Sequence, residues 1–184
     1  MEQINPNSRS DRFGSKINRD HSTLLAHFVP WASILLGSLA PMLPVIAPAP
    51  VMPPLGFMLL LAWRLLRPGL LPMWAGLPLG LFDDCLSGQP LGFGVLFFTL
   101  ALLAIEMIQI RFPWPNFLHD WLTAAALLAV FVVLGAILSG SAPSNIHLKI
   151  VGPQLVLSIV LFPIVARLVA ALDRIRLLRV RRVS

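Results

Sequence analysis

The feature that most constrains this chain is a succession of apolar runs, most of them long enough to cross a bilayer, separated by short breaks. The runs occupy residues 24–43, 54–67, 69–88, 91–110, 118–138 and 148–170. A hydrocarbon core about 30 Å thick is spanned by about 20 helical residues. Five of the runs meet that requirement. The second is short and contains Arg64, whose aliphatic stem can snorkel to a nearby surface. Only 12% of the 184 residues are charged and 57% are hydrophobic. Soluble domains usually carry about twice that charged fraction. Six spans leave no length for a separate globular domain. The expectation is an all-α integral membrane protein of six transmembrane helices, with a membrane domain over 24–170 between a polar tail (1–23) and a basic tail (171–184).

The basic residues decide whether the short run spans. With six spans and the N-terminus inside, the cytoplasmic segments hold Arg9, Arg12, Lys16, Arg19, Arg64, Arg67 and Arg111. They also hold Arg167, Arg174, Arg176, Arg179, Arg181 and Arg182, so that of fourteen Lys and Arg only Lys149 lies outside. Removing the second span moves Arg64, Arg67 and the basic C-terminus to the outer side. The six-span arrangement with both termini cytoplasmic is therefore preferred, in an inner membrane. The first apolar run is longer than a signal-peptide core and reads as a retained anchor. The net charge of +6 follows span ends rather than one soluble face, which argues against nucleic acid as a partner.

Prolines mark the breaks. Pro44, Pro48, Pro50, Pro53 and Pro54 point to a stiff extended connection on the outer side, and Arg111-Phe112-Pro113-Trp114-Pro115-Asn116 to a broken inner loop. Trp63, Trp74, Trp114 and Trp121 fall near the expected cytoplasmic boundaries, where indoles favour the headgroup zone. Pro163 inside the sixth run predicts a kink, or a hydrogen-bond gap that a neighbouring helix must fill. Gly76 and Gly80, four apart, suit close helix packing, as small residues at that spacing do. Gly88-Gln89-Pro90-Leu91-Gly92 reads as the outer turn into the fourth helix.

Acids within the membrane are costly and therefore informative. Asp83 and Asp84 end the third run. Counted as helix from Gly69, Asp83 lies about 21 Å along, in the outer part of the membrane. Neighbouring helix positions diverge by about 100°, so one acid faces the bundle and the other reaches water or a headgroup. A polar outer cap and a functional site both fit. Glu106, near the inner end of the fourth run, pairs with Arg111 or Arg64, or snorkels. Asp120 beside His119 suits the start of the fifth helix through the helix dipole.

Enzyme chemistry fails on arrangement. Asp83 and Asp84 sit on one helix, whereas an intramembrane aspartyl protease needs acids converging from two. A nucleophilic Ser87 needs a positioned base; His27 and His119 lie towards the inner end, and only His147, on an outer loop, could approach it. No histidines have metal-ligand spacing, the lone Cys85 offers no disulfide or cysteine-rich metal site, and no phosphate-binding glycine loop occurs. No cofactor is expected. The C-terminal Arg174, Arg176, Arg179, Arg181 and Arg182 form a juxtamembrane basic segment for anionic lipid headgroups, worth about 1 kcal/mol per well-placed charge. It serves as a topology determinant and anchor, or as a cytoplasmic docking site.

One stretch carries a family signature. From Pro53-Pro54 to Leu100 a proline-led short helix ends Arg64-Leu65-Leu66-Arg67-Pro68. A glycine-rich helix then closes with Asp84-Cys85-Leu86-Ser87-Gly88-Gln89-Pro90-Leu91-Gly92. This run resembles the bacterial rod shape-determining protein MreD family, whose pattern sets an aspartate, an apolar pair, Ser or Thr with Gly, then Leu-Gly. On that match Asp84, Ser87, Gly88, Leu91 and Gly92 take the motif positions, Asp84 rather than Asp83. The resemblance implies a non-enzymatic membrane scaffold of the cell-elongation machinery. It implies association with an MreC-like single-span shape protein and, indirectly, with the peptidoglycan synthase complex. The implied fold is similar to the substrate-binding subunits of energy-coupling-factor vitamin transporters, which makes such a subunit the alternative reading. That alternative expects small residues four apart on the first helix, and no Ala-xxx-Ala pair is found there. The polar N-terminal tail and the doubled aspartate depart from the usual family form.

Overall fold

A computed structural model describes residues 23–42, 52–112, 116–138 and 145–176, with side-chain surroundings for 28–42, 52–112, 116–138 and 151–174. The described residues form six α-helices: α1 Thr23–Ser38, α2 Leu55–Leu66, α3 Gly76–Ser87, α4 Phe93–Arg111, α5 Phe117–Leu138 and α6 Asn145–Arg176. They alternate in direction. The C-terminal end of α1 meets the start of α2 at Gly37 and Gly56, and the end of α3 meets the start of α4 at Asp84 and Gly94. Gly135 near the end of α5 lies against Phe93 at the start of α4. At the opposite end, α2 is tied to α4 by Arg64–Glu106 and to α6 by Arg67–Asp173. α4, α5 and the Val151–Arg174 part of α6 are each long and apolar enough to cross a membrane. Phe28–Met42 and α2 are shorter apolar helices.

The short α2 is the axis of the bundle. Its sequence, Leu-Gly-Phe-Met-Leu-Leu-Leu-Ala-Trp-Arg-Leu-Leu, is apolar on every side, and a helix of that kind belongs in the middle of a structure. Every residue from Gly56 to Leu65 is buried, with α1, α4, α5 and α6 packed around it. Phe57 stacks on Phe131 of α5 at 4.3 Å and meets Phe98 of α4 at 5.4 Å. Phe93 and Phe97 complete this aromatic cluster against Phe131.

Two expectations are corrected by this placement. Arg64 does not snorkel. It is 5% exposed, and its Nη2 donates to Glu106 Oε2 at 2.8 Å while Nη1 donates to the Leu71 carbonyl at 3.3 Å. A helix ringed by neighbours gives its arginine no route to the headgroups, so the charge needs an internal acid. Of the partners expected for Glu106, Arg64 is the one it meets. Trp63 likewise lies in the core rather than at an interface, fully buried, with its indole N–H donating to Ser33 Oγ at 2.8 Å.

The third run also differs from its expected extent. Helix begins at Gly76, not near Gly69, after an extended Pro72 (ψ 154°) and a 3-10 turn over Met73–Ala75. Pro68 and Pro72 each lack an N–H and disfavour helical geometry in the residue before them, which delays the start. Pro78 is accommodated because it lies in the first turn of α3, where amides have no intrahelical partner. Asp83 is therefore about 10 Å from the start of its helix.

The gap opened by Pro163 is filled from α5. A proline leaves the carbonyl four residues earlier without its amide, here Ile159. The indole N–H of Trp121 donates to that oxygen at 3.1 Å. At its other end α6 continues past residue 170, through Arg176.

Candidate functional site: the Asp84 turn

α3 and α4 lie close enough for backbone to touch backbone. A Cβ on Gly80 would come within 2.5 Å of the Gly94 carbonyl oxygen, and one on Gly76 within 2.8 Å of the Thr99 backbone. Gly94 faces back, 2.8 Å from the Gly80 carbonyl oxygen and 2.7 Å from Asp84 Oδ1 at its own Cβ position. Such proximity is open only to glycine. It brings the last turn of α3 alongside the first turn of α4.

Asp84 uses that proximity. Its Oδ2 accepts from the Gly92 amide at 2.8 Å and the Val95 amide at 3.3 Å, and its Oδ1 accepts from the Gly94 amide at 2.5 Å. These are N-terminal amides of α4, which have no intrahelical carbonyl to bond. A carboxylate there also meets the positive end of the helix dipole. Asp84 is thus an N-cap supplied from the preceding helix, and the two helix ends with the turn between them are one hydrogen-bonded unit.

The turn itself depends on two glycines. Gly88 ends α3 at φ +67° and Gly92 precedes α4 at φ +96°, a left-handed conformation costly to residues with a Cβ. Between them Leu91 stands 78% exposed, the most outward apolar side chain of the motif. Ser87 Oγ and Gln89 Oε1 are buried without a hydrogen-bond partner, and the Gln89 amide lies 3.5 Å from the Cβ position of Gly135 on α5.

Asp83 points the other way, as helix geometry requires, but it does not reach water. Both acids are buried, Asp83 7% and Asp84 3% exposed, because α3 packs against α1 as well as α4. Asp83 Oδ1 and Ser38 Oγ converge over Gly56 at the start of α2. The Ser38 hydroxyl approaches this carboxylate without a well-formed hydrogen bond. Among the described residues, no basic side chain pairs with Asp83 or Asp84.

The structure therefore gathers Asp84, Ser87, Gly88, Leu91 and Gly92 at one end of the bundle, with Gly80 close beside them and Gly76 further down the same α3–α4 contact. Glu106 stands at the far end with Arg64. Arg174 is exposed near the end of α6. The Arg176 side chain and Arg179, Arg181 and Arg182 lie outside the described residues, as does the His147 side chain. Among the described residues no group of three His, Cys, Asp or Glu is placed to hold a metal. Sequence reasoning missed Gly94, Ser38 and the Gly37–Gly56 contact between α1 and α2. Ser33 and Gly37, four apart on α1, were the available signal for that last contact.

A family model described as rod shape-determining protein MreD matches residues 22–174. The chain belongs to the MreD family. The match runs from the start of α1 to near the end of α6 and includes the whole Asp84 motif. Neither a curated protein nor a solved structure matches the chain. Asp84 has a concrete task in this chain, because three of the bonds that hold the α3–α4 turn end on it.

Proposed function

We propose that this MreD-family chain is a non-enzymatic subunit of the bacterial cell-elongation machinery, acting on cell shape and peptidoglycan synthesis through protein–protein contacts. The observation that carries the reading is the family match over 22–174. In this reading all six helices span the inner membrane with both termini in the cytoplasm, as the arginine distribution favours. The Asp84 turn then faces the periplasm, where Leu91 and the rigid α3–α4 end offer a contact for an MreC-like shape protein, and through it for the peptidoglycan synthase complex. The basic segment from Arg174 to Arg182 holds anionic headgroups on the cytoplasmic side. A scaffold rather than a catalyst fits a motif aspartate whose oxygens are occupied by backbone amides. The vitamin-transporter alternative draws no support from the family matched.

Depletion of the protein is expected to turn rod-shaped cells round, and purification in mild detergent to recover an MreC-like partner. Rod shape retained after clean deletion would sink the proposal. Within the motif, Asp84→Asn and Gly88→Leu are expected to weaken partner recovery while leaving membrane insertion intact. Normal assembly of both variants would remove the turn from the contact.

A further inference from the structure

α3 covers only part of the height of its neighbour. It has 12 residues against 19 in α4, about 18 Å of helix against about 28 Å. Its start, Gly76, abuts Thr99, about 9 Å below the start of α4. The Arg64–Glu106 pair lies about 20 Å below that start. Between these levels the chain climbs about 10 Å through residues 67–75, which contain no α-helix.

Part of this stretch is exposed, although Leu71 and Ala75 are buried. Pro68, Gly69, Met73 and Trp74 face outward, although the α4 surface beside this level presents Leu100, Leu103 and Met107. Irregular backbone exposed to lipid does not occur within hydrocarbon, because its polar groups have no water there. Part of the stretch is satisfied internally: Leu71 O by Arg64, Leu70 N by the Arg67 carbonyl at 3.3 Å, and Ala75 N by the Pro72 carbonyl at 2.9 Å. The exposed remainder needs an aqueous or headgroup environment. At its upper edge Trp74 pairs with Trp31 of α1, ring centroids 5.4 Å apart, and indoles favour the headgroup level. Arg67, half exposed beside its Asp173 partner, stands at the foot.

We infer that the membrane is thinned against α3, where phospholipid headgroups of the leaflet on the arginine side rise to the Trp31–Trp74 pair. The α4 flank keeps full hydrocarbon thickness. The bilayer deformation is one-sided, set by the late start of α3. The inference rests on the six-span reading, in which that leaflet is the cytoplasmic one.

Full-length protein with Cys85→Ser and one new cysteine, Met73→Cys, Leu81→Cys or Leu103→Cys, is labelled with a nitroxide. It is then reconstituted in vesicles of 18-carbon phosphatidylethanolamine and phosphatidylglycerol. Depth is read from the balance of oxygen and water-soluble nickel-complex collisions. The three labelled positions, 73, 81 and 103, are outward-facing apolar sites, so the labels need no core space. The label at 73 is expected about 10 Å nearer the headgroups than the label at 103, with the label at 81 in hydrocarbon. Equal hydrocarbon depth at 73 and 103 overturns the thinning and leaves the six-span reading standing. Water exposure at 81 overturns both. A fluorophore at 73 is then challenged with headgroup-labelled lipid. Quenching supports headgroups at Trp74, whereas nickel access without quenching means a water-filled recess and overturns the lipid assignment.

Discussion

At the scale of single residues, two adjacent aspartates do different work because a helix turns them apart. Asp84 accepts three amides of α4, whereas among the described residues Asp83 meets the Ser38 hydroxyl near Gly56. Asp84→Ala is therefore expected to lower stability by about 2 kcal/mol, the scale of a charged cap partly offset by water reaching the turn. Asp83→Asn is expected to cost much less, since the isosteric amide gives up no amide donor bonds. Thermal unfolding of detergent-solubilised protein compares the two, and equal losses would contradict the division of roles. Gly80→Val tests the contact beside them. Its Cβ would fall 2.5 Å from the Gly94 carbonyl oxygen, so α3 and α4 must separate and the Asp84 bonds lengthen with them. The expected result is a loss larger than that of Asp84→Ala.

At the scale of elements, hydrogen-bond accounting explains how broken helices pack in an apolar bundle. Pro163 removes a donor from α6, and Trp121 of α5 supplies one to Ile159. Trp121→Phe is expected to cost about 1 kcal/mol, and Pro163→Ala should suppress that cost by returning the amide within α6. A double-mutant cycle on unfolding measures the coupling; simple additivity would show that the indole bond is incidental. Arg64 performs a comparable service at the non-helical stretch after α2 while needing Glu106 as a counter-ion. Glu106→Ala leaves a buried guanidinium with the Leu71 carbonyl, and a loss of about 3 kcal/mol is expected. Replacing both partners with apolar residues should cost less than the single change.

At the scale of the whole molecule, the bundle is uneven. α2 forms its axis, α4 to α6 give one side its full height, and α3 is short. If all six helices span, as proposed, a chain with these proportions presents two different membrane surfaces. On the proposed six-span reading, the α3–α4 end with Leu91 is a candidate contact for a shape protein, and the short α3 is where the bilayer would adapt. In bilayers of longer acyl chains the protein is expected to unfold at lower temperature, because headgroups reach Trp74 less easily. Vesicles of graded chain length give that comparison directly, and indifference to thickness would argue that the uneven height is accommodated by water instead.

Much of this was legible in the chain because membranes impose simple rules. Apolar runs gave six helices near their observed positions, and Pro163 announced a gap that a neighbour fills. The Gly88-Gln89-Pro90-Leu91-Gly92 turn was legible too, because proline and glycine end one helix before the next begins; that both glycines are left-handed came only with the structure. Burial was not legible. The snorkelling expected of Arg64 and the interfacial position expected of Trp63 both failed, because a short apolar run reads alike whether it borders lipid or is ringed by other helices. Nor did periodicity foresee that Asp83 and Asp84 would both be buried, or that α3 would begin only at Gly76. Local sequence determines which segments are helical and which backbone groups lack partners. Which helix occupies the centre, and which neighbour supplies each missing bond, is decided only when all six are packed together.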